Sequence, residues 1–211
     1  MDTNNSKKII LDLCGGTGSW SKPYREHPEI YDVRVLTLPD YDVRNWKNTW
    51  LGKYEASVYG ILAAPPCTAF SKAAWKIKRA DRKFKEGMEI VKACMNIIWA
   101  TQEKGAPLAF WALENPMGYL YRFLGYPVHF FQPWQYGETN FTKTKRTAIW
   151  GYFNPPIKTV SKRTFPFVSP HTSKRDAVNE ERENKLWYRA SAAKRAQTSE
   201  HFAEAFFKAN Q

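Results

Sequence analysis

Short β-branched runs that stop at an acid, a pair of glycines or a pair of prolines recur along the chain, with helix-spaced stretches between them. Lys8 to Leu13 (KIILDL), Tyr31 to Leu38, Ser57 to Ala64, Ala109 to Leu113 and Thr147 to Gly151 read as buried strands. From Lys83 to Lys104 the apolar positions Phe84, Met88, Val91, Met95 and Ile98 follow helical spacing, and Pro107 stops the helix. A closing helix starts near Thr198, with Thr198 or Ser199 as its cap. This alternation predicts an α/β fold with a doubly wound parallel sheet. In such sheets ligands bind at the carboxyl ends of the strands. Asp12 with its glycines, Pro66-Cys67 and Glu114-Asn115 all fall at predicted strand ends.

A length of 211 residues suits one domain with its own core. Neither the spacing of Cys14, Cys67 and Cys94 nor that of the four histidines suggests disulfides or a metal site. No apolar run is long enough to span a bilayer, so a soluble, cytoplasmic protein with no membrane partner is expected. The formal net charge of +12 favours a polyanionic partner, nucleic acid ahead of a membrane. From Phe141 onward fourteen basic residues face six acidic ones, and a second basic stretch runs from Lys72 to Lys85. The aromatic content, 16%, is explained by core packing and does not discriminate between functions.

Three segments carry chemistry. The first is Asp12-Leu13-Cys14-Gly15-Gly16-Thr17-Gly18, a glycine-rich turn after a strand and before a helix, which lets backbone approach a ligand closely but lacks the Lys-Ser or Lys-Thr of a phosphate loop. The second, Pro65-Pro66-Cys67, puts a thiol in a stiffened bend where the cations from Lys72 onward can favour the thiolate. In the third, Glu114-Asn115-Pro116, an acid able to protonate a substrate sits on a neighbouring strand end. Lys143-Thr144-Lys145-Arg146 then leads into the late strand.

In order and spacing these segments resemble the DNA cytosine-5 methyltransferase family over roughly Ile9 to Gly151. The resemblance implies a Rossmann-like methyltransferase sheet, S-adenosylmethionine as cofactor, and duplex DNA with one base flipped out as partner. It implies that Cys67 attacks C6 of cytosine, Glu114 protonates N3, Asn115 braces the loop, and Arg146 contacts the base O2 and positions Glu114. The cofactor would lie over Asp12, Cys14, Gly15, Gly16 and Gly18, with Pro66 at its border and Asp42 reaching the adenine amine. Asp40 is the nearest substitute for the family's ribose-binding acid, and Cys14 replaces its usual aromatic. Ser71, Lys72, Trp75, Lys76, Lys78 and Arg79 occupy the family's mobile DNA-closing loop, and Lys143, Lys145, Lys162 and Arg163 extend the DNA contact.

The expected organisation is a catalytic core over 1–153, a short basic insertion over 154–189 in place of a target-recognition domain, and a C-terminal helix over 190–211 packing back on the core. So short an insertion supplies mainly phosphate contacts, which predicts relaxed specificity and a partner protein for sequence recognition. Small methylases of this build resemble those of phage and prophage genomes. Two alternatives stay open: C5 methylation of RNA cytosine, and a non-catalytic nucleic-acid binder descended from a methyltransferase. An amino-directed methylase is disfavoured, because Ala64 stands where such an enzyme needs a polar side chain.

Overall fold

A computed structural model describes residues 7–48, 57–72, 78–138, 145–162 and 197–211. Six strands, β1 (Lys8–Leu13), β2 (Tyr31–Leu36), β3 (Val58–Ala63), β4 (Phe110–Pro116), β5 (His129–Phe131) and β6 (Thr147–Tyr152), form one sheet in the order β2-β1-β3-β4-β6-β5. The pairings among β2, β1, β3 and β4 are parallel. β6 runs antiparallel to both β4 and β5. The sheet is therefore mixed, which corrects the all-parallel expectation. A strand covered on both faces carries the same apolar run whichever way it points, so the sequence of β6 holds no sign of its direction.

Alternate residues feed two cores. Leu11, Leu13, Ile61, Leu113, Ala148 and Trp150 face α2 (Phe84–Glu103), which buries Val91, Cys94, Ile97 and Ile98 against them. Ile10, Leu62, Phe110, Ala112 and Ile149 face α4 (Glu200–Ala209) and the single turn α1 (Lys22–Arg25), and a further turn, α3 (Tyr121–Leu124), precedes β5. Helices on both faces make the architecture α/β and compatible with a Rossmann-like fold. The helix expected after the glycine turn amounts only to α1, opened by Pro23.

The second core is aromatic. Phe202 stacks on Phe131 at 3.9 Å, and Phe207 meets Tyr24 edge-on at 4.9 Å. Burying rings of this kind contributes about 2 kcal/mol each. Ser199 caps α4 by accepting from the Phe202 amide. At the other end Asn210 and Asn154 bond reciprocally: the Asn154 amide donates to Asn210 Oδ1 at 2.8 Å and Asn210 Nδ2 to the Asn154 carbonyl at 3.0 Å. The chain end is thereby tied to the residues just after β6. Among the described residues no helix is long and apolar enough to cross a membrane.

Candidate active site

β1 ends in a buried acid. Asp12 is fully enclosed, Ser21 donates to its Oδ2 at 2.6 Å, and its Oδ1 has no hydrogen-bond partner among the described residues. Burial raises its pKa to about 6, against the hydrogen bond from Ser21 and the charge of Arg25. The turn then folds tightly over the carboxyl: a Cβ on Gly15 would lie 2.4 Å from Asp12 Cγ, so only glycine fits. Cys14, Gly16 and Gly18 all have positive φ, and a Cβ on Gly16 would meet nothing within 4 Å. A buried, half-satisfied carboxylate beside an open backbone turn suits a ligand bearing a hydrogen-bond donor or positive charge.

The remaining residues expected at this end are placed less simply. Cys14 shares a hydrogen bond with the buried thiol of Cys94. Asp40 is exposed. Asp42 is already taken up by Arg44, whose Nε and Nη2 reach its two oxygens at 2.9 and 2.5 Å and whose amide donates to Oδ1 at 2.9 Å.

Asp12 sets a pH dependence. Its folded pKa lies above the unfolded value, so the folded state holds the proton more tightly and stability falls as pH rises from about 4 to 6. The loss corresponds to about 3 kcal/mol. Relative to Asp12→Asn, the wild type should lose about that much stability between pH 4 and 7 in urea unfolding. A constant difference across that range would contradict the burial argument.

A second group gathers one strand further on. The Cys67 carbonyl accepts from the amides of Phe70 and Ser71 at 2.9 and 2.8 Å, closing a tight turn after Pro65 and Pro66. Three contacts clamp this turn. Asn115, buried on β4, donates from Nδ2 to the Pro65 carbonyl at 2.9 Å. The Tyr119 amide donates to the Phe70 carbonyl at 2.8 Å. Arg82 donates from Nη1 to the carbonyls of Ala69 and Ser71 at 3.1 and 2.9 Å. A Cβ on Gly118 would stand 2.1 Å from the Phe70 carbonyl oxygen. Gly118→Ala should therefore cost about 3 kcal/mol in chemical denaturation and loosen the Cys67 turn; an unchanged midpoint would refute the close approach.

Glu114 pairs with Ile149 across β4 and β6, so the start of β6 emerges beside it. The cation that shares its field is Lys145, whose Nζ donates to the Gln197 carbonyl at 2.6 Å. Burial raises the Glu114 pKa, with Lys145 opposing. Burial lowers that of Lys145, with Glu114 and then Cys67 opposing. Burial first and the Glu114 charge second push the Cys67 thiol up, while Lys145 pulls it down. Thiol, acid and amine thus share one electrostatic field where the Cys67 turn meets β4.

Several expected residues sit elsewhere. Arg146 is exposed and lies over the Phe130 ring, 4.7 Å from its centroid; only its backbone carbonyl, accepting from Met117, ties it to this region. Among the described residues the positive charge acting on Cys67 is that of Lys145, while part of the stretch beginning at Lys72 lies outside them. Glu114 and Asn115 lie inside β4, which runs three residues beyond the expected Leu113. Ser71 is buried in the clamp, whereas Pro66, Lys72, Lys78, Arg79 and Lys162 are exposed. Trp75, Lys76, Lys143 and Arg163 lie outside the described residues. The clamp residues Arg82 and Gly118 were not apparent from sequence: Arg82 is one cation in a basic run, and nothing local to Gly118 shows that Phe70 presses on it. No protein-family model matches the chain, and no curated protein matches it.

Proposed function

We propose that the chain is an S-adenosylmethionine-dependent cytosine-5 methyltransferase acting on DNA, built on a Rossmann-like methyltransferase sheet. The observation that carries this reading is the meeting of the Cys67 turn with Glu114-Asn115 at the ends of β3 and β4, held by Asn115 Nδ2 on the Pro65 carbonyl at 2.9 Å, with Lys145 sharing their field. The buried, unpartnered Asp12 Oδ1 under an open glycine turn fits a cofactor with an ammonium group and a sulfonium. Asp12, Gly15, Gly16 and Gly18 would hold it, and it would supply an electrophilic methyl group.

The chain's own residues would do the rest. Cys67 Sγ adds to C6 of a cytosine, and as the S–C6 bond forms the C5=C6 pair shifts through C4 onto N3. Glu114, its pKa raised by burial, carries a proton to N3 and so leaves a neutral enamine that is nucleophilic at C5. Once C5 has taken the methyl group it loses its proton to a base, the C5=C6 bond reforms, the S–C6 bond breaks and the thiolate leaves; Glu114 recovers the N3 proton. Lys145 favours the thiolate and Asn115 holds the Cys67 turn at its distance from β4. To reach such a pocket the base must leave the duplex, at a cost of a few kcal/mol.

The test is nucleoside mass spectrometry of duplex DNA and, separately, transfer RNA after incubation with S-adenosylmethionine. 5-Methylcytosine in the DNA is the expected result. Its appearance in the RNA alone would move the substrate to RNA. No modified base in either, with nucleic acid still bound, would favour the non-catalytic binder, a reading to which the engagement of Asp42 by Arg44 lends weight.

A further inference from the structure

On β5, the last strand of the sheet, two cations converge on one aromatic ring. The guanidinium of Arg146 lies 4.7 Å and the ammonium of Lys158 5.4 Å from the centroid of Phe130, a ring that is 47% exposed on the edge strand β5. Lys158 also donates to the Phe130 carbonyl at 2.9 Å. Both heads are oriented by neutral groups, and among the described residues neither forms an ion pair. Among the described residues their charge is therefore positioned without being neutralised.

Like charges gathered in this way oppose each other: after burial, the nearness of Arg146 is what lowers the pKa of Lys158. An anion would turn this repulsion into attraction. The described residues between Met117 and Lys162 are themselves basic, with five cations against a single acid, Glu138, which is buried and bonded to His201.

We propose that Phe130, Arg146 and Lys158 form a phosphate-binding site for the backbone of a polynucleotide strand. It shares with the proposed function only the nucleic-acid partner, and it gives Arg146 a role in holding the strand in place of one at the reacting base. The chain would grip phosphates here while the Cys67 pocket acts on a base. The source of the phosphate is a phosphodiester chain and not a free ion, because a half-exposed ring lies between the two cations, a surface suited to a strand carrying bases as well as phosphates.

The experiment is fluorescence anisotropy of a labelled oligonucleotide, single-stranded and as duplex, over a range of salt concentrations. It compares the wild type with Arg146→Gln/Lys158→Gln and with Lys92→Gln/Lys208→Gln, which removes the same charge from exposed positions elsewhere. The edge variant should lose about tenfold or more in affinity, and its log–log salt slope should shrink by roughly 1.4 on the single strand and 1.8 on the duplex, the values for two phosphate contacts. Inorganic phosphate at millimolar levels should compete poorly. Equal losses in the two variants, an unchanged slope in the edge variant, or full displacement by inorganic phosphate would overturn the proposal. Methyl transfer by the wild type is scored separately: slope loss without 5-methylcytosine keeps this site and removes the enzyme reading, while 5-methylcytosine with an unchanged slope does the reverse.

Discussion

Cys67→Ala should reduce the formation of 5-methylcytosine by a factor on the order of 10⁴ or more while leaving DNA binding intact. The thiol supplies the only bond through which C5 becomes nucleophilic in the proposed chemistry, so its removal is not a partial defect. Cys67 is only half-buried, in a turn held by backbone contacts of its neighbours, and its truncation leaves the Asn115 and Arg82 clamps in place. Thermal unfolding should therefore change little, and nucleoside mass spectrometry alongside an anisotropy titration separates lost chemistry from lost folding. Residual product within tenfold of wild type would exclude Cys67 as the nucleophile.

Glu114→Gln should lower methyl transfer by about 10² to 10⁴, the range for losing a positioned proton donor. It should also change Cys67 itself. The thiol is pushed up by burial and next by the Glu114 charge, so neutralising residue 114 must lower its pKa; Lys145 acts with the opposite sign, and Lys145→Met must raise it. Alkylation of Cys67 by iodoacetamide, followed peptide by peptide against pH, reads this without any turnover. The midpoint should move to lower pH in Glu114→Gln and to higher pH in Lys145→Met. Shifts in the same direction would break the coupled group on which the mechanism depends.

These expectations show where the sequence speaks and where it is silent. The β1, β3 and β4 runs and the Phe84–Glu103 helix could be read from local patterning, because burial on both faces or on one stripe leaves its period in the residue types. The three-residue β5 was too short to leave such a trace. Lys145 and Arg146 illustrate a different limit. Neighbouring residues entering a strand point to opposite faces, and the register of β6 against β4 decides which cation meets Glu114. A resemblance built on spacing favoured Arg146; the antiparallel pairing brings Lys145 into the acid's field and leaves Arg146 over Phe130. Arg82 and Gly118 were invisible for the same kind of reason, since their partners Ser71 and Phe70 lie far off in the chain.

Asp12 is legible in the sequence as an acid at a strand end and, through the resemblance, as a cofactor contact, but its surroundings are not. Its complete burial and its orphaned oxygen come from Ser21 and the glycine turn closing over it. A group held at such cost, with its pKa raised to about 6, is consistent with the cofactor site proposed for it.

The central claim, a covalent bond between Cys67 and a cytosine, is tested most directly by intact-protein and peptide mass spectrometry after incubation with S-adenosylmethionine and an oligonucleotide carrying 5-fluorocytosine. Fluorine at C5 cannot leave as a proton, so elimination stalls and the S–C6 bond persists. The expected product is a protein–oligonucleotide adduct, one methyl group heavier, on the peptide containing Cys67, absent in Cys67→Ala. Methylation of ordinary cytosine with no adduct on the fluorinated base, or an adduct on Cys14, would contradict it.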